Sequence, residues 1–192
     1  AIGFMGRIVQ AKRIDILLTS FAAFHQTHPE SILVLAGDGD QRTAMQALAQ
    51  SLNIADSVLW LGFVQDIPRM LAGLDIFVQP SVNEGLSLSL LEALAAEKAV
   101  IATDVGGTAE VLDHNRNGLL IPAGSPKALS AALAQMASQP DQATDFARNG
   151  RAYVERHFNL QQMITSYDRL YHAAISPNGS AQPAAHFPPR IT

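Results

Sequence analysis

Six short, β-prone apolar runs punctuate this chain, at Ile2–Met5, Ile32–Ala36, Val58–Phe63, Ile76–Gln79, Ala99–Thr103 and Leu119–Ile121, and amphipathic segments separate them. The runs are continuous rather than alternating, the pattern of strands covered on both faces. Between the first two, Ile14, Leu17, Leu18, Phe21 and Phe24 recur at helical spacing, and Met45, Leu48 and Leu52 repeat the pattern in the next segment. Both segments are expected to be core-facing helices. Strands alternating with helices of this length form parallel βαβ units with right-handed crossovers. The expected fold class is therefore α/β, a doubly wound parallel sheet of about six strands with helices on both faces. Asp66 followed by Pro68, and Ser125 followed by Pro126, mark helix starts. After the last strand the pattern is purely helical, at Lys127–Ser138, about Asp141–Arg156 and Asn159–His172.

Residues 1–175 thus read as one folded unit. From Ser176 to Thr192 the composition shifts to Pro, Gly, Ser, Ala and Gln with few apolar anchors, which predicts a flexible tail. The opening Ala1-Ile2-Gly3-Phe4-Met5 has neither an initiator Met nor the layout of a signal peptide, so the chain is expected to be a piece of a longer protein, cut at a strand.

Composition narrows the function classes. With 13 Lys and Arg against 17 Asp and Glu the net charge is -4, which gives no support to nucleic-acid binding. Zero Cys removes disulfides, thiolate zinc sites and cysteine nucleophiles together, which suits a reducing, cytoplasmic compartment. No apolar run approaches the ~20 residues of a transmembrane helix. The histidines, His25, His28, His114, His157, His172 and His186, share no metal-ligand spacing, and each reads as a surface or packing residue. Ser81, Ser87 and Ser89 lack a G-x-S-x-G elbow, so neither a resident metal nor a hydrolase nucleophile is expected.

In a sheet of this kind ligands bind beyond the carboxyl ends of the strands. Gly37 and Gly39 follow the second run and precede a helix, but the third glycine of a dinucleotide fingerprint would fall at Arg42, and no G-x-x-x-x-G-K-[ST] occurs. A plain strand-to-helix turn and a close approach to a ligand stay equally open there. The segment after the fourth run says more. A loop with Glu84, Gly85, Leu86 and Ser87 leads into a helix that reads as apolar on nearly every face and carries Glu92 inside it. The start of such a helix offers unpaired N–H groups and the positive end of its dipole to phosphate oxygens, and Gly85 removes a side chain from their path. Inside an apolar helix an ionised Glu92 needs hydrogen-bond donors, which the paired hydroxyls of a ribose supply.

Four separately placed motifs appear in order. They are Gly6-Arg7-Ile8-Val9-Gln10-Ala11-Lys12, Gly62-Phe63-Val64, Glu84-Gly85 through Glu92-Ala93, and Gly106-Gly107-Thr108-Ala109-Glu110. From about Ile2 to Tyr171 the chain resembles the carboxyl-terminal, donor-binding domain of the retaining family-4 glycosyltransferases of the GT-B fold. The segments match that family's G-R-L-x3-K, glycine-phenylalanine, E-x7-E and glycine-pair patterns. The resemblance implies a Rossmann-like domain that binds a nucleoside-diphosphate sugar, with a UDP-sugar as the expected donor, in an enzyme that moves the sugar to an acceptor hydroxyl with retention. It implies that Arg7 and Lys12 hold the donor diphosphate in place of a divalent metal, that Glu84 sits at the donor sugar, and that Glu92 binds the ribose hydroxyls. Gly37, Gly62, Phe63, Val64, Gly85, Leu86 and Ser87 would line the nucleotide. An Arg fork and a Lys point charge suit a phosphate pair. A plainer role stays open for each residue: a solvated basic pair for Arg7 and Lys12, a solvated loop acid for Glu84, a locally satisfied buried carboxylate for Glu92, and a core position for Phe63.

Members of that family often carry Gly where this chain has Arg13, Ser87 and Glu97, and Pro where it has Ala99. The Ser87 hydroxyl is suited to capping the helix, and Arg13 to shifting the first helix or adding a cation. By the same resemblance, a saccharide or lipid-linked acceptor is met through an amino-terminal domain absent from this chain. The chain alone is then expected to be inactive, and the last helix to expose Leu160, Met163, Ile164, Tyr167, Leu170 and Tyr171. Polysaccharide biosynthesis and a peripheral position at the inner face of a membrane are implied for the whole protein by analogy of fold. Two other functions are weighed: another enzyme of this fold, such as a sugar-nucleotide epimerase or a phosphorylase, and a non-catalytic nucleotide-binding module.

Overall fold

All six apolar runs become strands: β1 (Ile2–Met5), β2 (Leu33–Ala36), β3 (Val58–Gly62), β4 (Ile76–Gln79), β5 (Ala99–Thr103) and β6 (Leu119–Ile121). They pair in parallel as one sheet of order β3-β2-β1-β4-β5-β6 in a computed structural model that describes residues 1–175. The segment from Ser176, where the sequence predicts a flexible tail, lies outside the described residues. The helices are α1 (Ile14–His25), α2 (Arg42–Ser51), α3 (Ile67–Ala72), α4 (Leu88–Ala95), α5 (Thr108–Val111), α6 (Pro126–Ser138), α7 (Pro140–His157) and α8 (Leu160–Ile175). The doubly wound α/β fold read from the alternation is the one observed. Only α5 has no counterpart in that reading, because four residues are too few to show a helical period.

Two apolar layers sandwich the sheet. Ile76 and Val78 of β4 point into one layer with α1, α2 and α6, whereas Phe77 points into the other with α4 and α5, as period-two alternation requires. In the first layer Ile14, Leu17, Leu18, Phe21 and Phe24 of α1 are each at most 6% exposed. At roughly 1.5–3 kcal/mol for each large side chain removed from water, this one helix face contributes on the order of 10 kcal/mol, as an upper estimate. Met45 and Leu48 of α2 and Leu52 at its C-cap pack on the same layer while half-buried. Helix starts follow the sequence signals. The Asp66 carboxylate accepts from Arg69 N at 3.1 Å with Pro68 in the first turn, and Ser125 Oγ accepts from Ala128 N at 3.2 Å with Pro126 beside it.

One expectation fails at the sheet edge. β3 is not covered on both faces: Leu59 and Leu61 are each 46% exposed. β3 is an edge strand, and the adjacent crossover helix α3 has only six residues, too short to cover that face. Helix α8 meets its expectation, since the six apolar residues singled out along it are between 48% and 68% exposed. No described helix is long and apolar enough to cross a membrane.

Candidate functional site

Winding runs from β1 through β2 to β3, then returns to place β4 on the other side of β1. The sheet's topological switch point therefore lies between β1 and β4, and the loops after those two strands flank the crevice where such sheets take ligands. Backbone hydrogen bonds tie these loops to their neighbours. Gly6 N donates to Ala36 O at 3.0 Å, Ile8 N to Asp38 O at 2.8 Å, Gly37 N to Gly62 O at 2.6 Å, and Val82 N to Ala11 O at 2.9 Å. Gly37 is held at φ +130°, and a Cβ there would lie 1.9 Å from Gly6 O. Its glycine is therefore required by the close approach of the first loop, which accounts for it without a ligand.

Across the switch point, the Lys12 ammonium donates to Glu84 Oε1 at 2.6 Å. Lys12 ends a short 3-10 turn after β1, and Glu84 sits in the loop after β4. Their side chains are 21% and 8% exposed, so the pair is largely desolvated and each charge depends on the other. Ser81 Oγ donates to the same Oε1 at 2.5 Å. The structure thus brings together two residues the sequence singled out separately. A solvated loop acid does not describe Glu84. Arg7 differs from Lys12: it is exposed and its side chain makes no hydrogen bond or ion pair with any described residue, which leaves its guanidinium open to an anion.

Helix α4 starts three residues after Gly85, with Ser87 as its N-cap. The Ser87 hydroxyl accepts from Leu90 N at 3.4 Å and donates to Gln79 Oε1 at 2.8 Å, so this serine is buried and caps the helix, as its hydroxyl suits it to do. Gly85 and Leu86 are exposed ahead of it. Glu92 corrects the sequence reading. It does not lie within an apolar environment: it is exposed on a helix face it shares with Leu88, which is 72% exposed, while Leu90, Ala93 and Leu94 take the core side. An apolar composition does not reveal which turn of a helix faces a crevice, and an exposed carboxylate needs no buried partner. Phe63 is 82% exposed after β3, so a core role for it is excluded, whereas Val64 is half-buried against the second layer. Gly62 bounds the same loop, with the Arg42 guanidinium 3.6 Å from where its Cβ would be.

Arg13 supplies no free cation. It sits at φ +50°, a left-handed conformation that glycine adopts more readily, and its guanidinium grips Asp15 through bonds of 2.9 and 2.8 Å. Those hydrogen bonds, with the charge attraction, raise the Arg13 pKa and lower that of Asp15. Glu97 likewise adopts φ +56°. His25 bridges Ser31 and Ser57, the His28 ring stacks on Phe24 at 4.1 Å, and the exposed His114 accepts from Leu120 N at 3.1 Å. Among the described residues no cluster of three or more His, Asp or Glu is placed to hold a metal ion.

Four contributors were not among the expected site residues. Ser81, fully buried, holds Glu84. Gly106, at φ +51°, lies so close to the Glu84 loop that a Cβ would fall 1.7 Å from Glu84 O, and Gly107 abuts Gly85 O at 2.9 Å by the same measure. The glycine pair is visible in the sequence as a motif, but its partner loop is not. Arg42 lines the Gly62 turn and pairs with Asp38 at 2.9 Å.

The doubly wound parallel sheet thus gathers an unpaired Arg side chain, a Lys–Glu pair and a capped helix start around its switch point, the place where such α/β domains take ligands. The chain belongs to the glycosyl transferases group 1 family, whose model matches residues 1–153. It is 28% identical to the lipopolysaccharide core biosynthesis mannosyltransferase LpcC of Rhizobium leguminosarum bv. viciae, over 93% of this chain and 52% of that protein. It is 30% identical to the lipopolysaccharide core biosynthesis mannosyltransferase LpsB of Rhizobium meliloti, over 91% of this chain and 52% of that protein. The chain thus spans about half the length of these curated relatives. Among solved structures it resembles the C-terminal domain of the group 1 family protein LpcC from Francisella tularensis, with a TM-score of 0.77 and 27% identity over 83% of this chain and 86% of that one. Anabaena HepE in complex with UDP shares the fold at a TM-score of 0.85 and 24% identity, over 90% of this chain and 48% of that one. The fold is that of a GT-B carboxyl-terminal domain.

Proposed function

We propose that this chain is the donor-binding half of a retaining, metal-independent glycosyltransferase that moves a sugar from a nucleoside diphosphate, UDP in the first instance, to an acceptor hydroxyl on a saccharide or lipid-linked glycan. The observation that carries this reading is the Lys12–Glu84 pair spanning the switch point, in a chain of the group 1 family. Arg7 and Lys12 take the diphosphate, together with the N–H groups ahead of α4, and neutralise the negative charge that grows on the leaving phosphate as the glycosidic C–O bond breaks. Glu84 faces the anomeric carbon, where positive charge develops, and Lys12 links the two by touching both. Glu92, exposed on α4, accepts from the ribose hydroxyls, and the loop with Gly62, Phe63 and Val64 meets the base. The second half of the enzyme supplies the acceptor site and covers the apolar stripe of α8. A cytoplasmic enzyme of glycan assembly at the inner membrane face agrees with relatives named for lipopolysaccharide core biosynthesis.

The test uses the full-length protein, a panel of UDP-, GDP- and ADP-sugars, a chelator throughout, and NMR of the product's anomeric proton. Transfer with retained configuration in chelator is expected. Activity that disappears with chelator and returns with Mg²⁺ would contradict the metal-independent mechanism, and an inverted product would contradict retention.

A further inference from the structure

We propose that Ser81 is a positioning residue for Glu84: it fixes the carboxylate by one oxygen and leaves the other for the donor. The inference rests on the reading of Glu84 given above. Ser81 is 0% exposed at the carboxyl end of β4, and its own backbone is tied down, because the Thr103 hydroxyl at the end of β5 donates to Ser81 O. Its hydroxyl donates to Glu84 Oε1 at 2.5 Å, the same atom that accepts from Lys12 Nζ at 2.6 Å. Two donors therefore converge on one oxygen. Glu84 Oε2 receives no bond from any described residue and is not a buried atom, so the open side of the carboxylate is Oε2.

The two donors are not equivalent. Lys12 ends a flexible four-carbon stem on a separate loop, and its ammonium carries three protons to share. When it turns to a donor phosphate, its hold on Oε1 weakens. The Ser81 hydroxyl has no such second partner and sits on the rigid end of a central strand, so it keeps Oε1 in place throughout. A carboxylate that must face a developing charge gains most from such fixed orientation, since a misplacement of about 1 Å costs on the order of 10²-fold in rate.

The experiment uses the full-length protein with whichever sugar nucleotide of that panel it uses, and compares Ser81→Ala, Ser81→Cys, Glu84→Gln and the Ser81→Ala/Glu84→Gln double variant. Ser81→Ala should lower kcat about ten-fold, the equivalent of one lost bond to a charged group, with UDP affinity and melting temperature near wild type. Ser81→Cys, a weak donor of similar shape, should fall between. On the Glu84→Gln background Ser81→Ala should add no further loss, and a crystal structure of Ser81→Ala should show the Glu84 carboxylate rotated away from residue 81. A full additional loss in the double variant, or an unmoved carboxylate in that crystal, overturns the proposal. A Glu84→Gln variant with wild-type turnover would instead sink the role given to Glu84, while the crystal comparison still decides whether Ser81 places it.

Discussion

Replacing Gly106 with Ala should damage the site from outside it, and replacing Gly85 with Ala should damage only its ligand affinity. At Gly106 an added Cβ would lie 1.7 Å from Glu84 O, about half the distance at which ordinary contact begins, and the atom it meets is backbone. The residue also sits at φ +51°, where an L side chain costs roughly 1–2 kcal/mol. Relieving the overlap means displacing the Glu84 loop, and overpacking of this kind typically costs about 1–3 kcal/mol more. Gly106→Ala should therefore lose roughly 2–5 kcal/mol of stability and reduce turnover of the full-length enzyme by about 10²-fold through the displaced carboxylate. At Gly85 an added Cβ meets nothing within 4 Å, so Gly85→Ala should keep its stability to within about 0.5 kcal/mol. If phosphate passes over Gly85, the same methyl should still weaken UDP binding about ten-fold. Urea denaturation of the 192-residue chain and UDP titration of both variants separate the effects. A Gly106→Ala protein as stable as wild type would refute the loop-contact reasoning, and unchanged UDP affinity in Gly85→Ala would place the ligand elsewhere.

Glu84→Gln should lower kcat by about 10²-fold with UDP affinity nearly intact, whereas Glu92→Gln should mainly raise KM; steady-state kinetics and calorimetry of both would show a reversal of these roles if the assignment is wrong. Glu97→Gly should raise stability by about 0.5–1 kcal/mol, because relief of its left-handed conformation outweighs the added backbone entropy and a half-exposed pair with Arg151 contributes little. A lowered melting temperature would count against that balance. The Arg13 hydrogen bonds hold the Asp15 carboxyl below its ordinary pKa, so this group stabilises the fold above its unfolded pKa and loses that contribution as pH falls through the lowered folded value. Asp15→Asn should accordingly flatten the acid side of the stability profile as pH falls below the ordinary carboxylate range, and an unchanged slope would mean the pair is unimportant in solution.

The parts of the molecule that the sequence reveals are those with a period. Five apolar residues at helical spacing suffice to place the buried face of α1, and continuous runs locate all six strands. Burial at the margins was harder to read. β3 has the composition of a central strand, yet its edge position leaves Leu59 and Leu61 half open, and strand order is not written in any single run. Glu92 shows the same limit within a helix, because the largely apolar composition of α4 does not reveal which of its faces stays exposed. The site's motifs were visible, but their pairings were not: Lys12 and Glu84 stand 72 positions apart, and only the placement of β4 beside β1 brings them to bonding distance. The role of Ser81 is not legible in the sequence for a related reason, as a lone serine carries no pattern until the fold brings Glu84 within reach of its hydroxyl.

Calorimetric titration of UDP and of uridine into the full-length protein, in chelator, tests the diphosphate site most directly when wild type is compared with Arg7→Ala and Lys12→Ala. Each substitution should weaken UDP binding by about 1.5–3 kcal/mol, the typical worth of a hydrogen bond to a charged group, and leave uridine binding nearly unchanged. Equal losses for UDP and uridine, or UDP binding that survives both substitutions intact, would contradict the assignment of these two cations to the diphosphate.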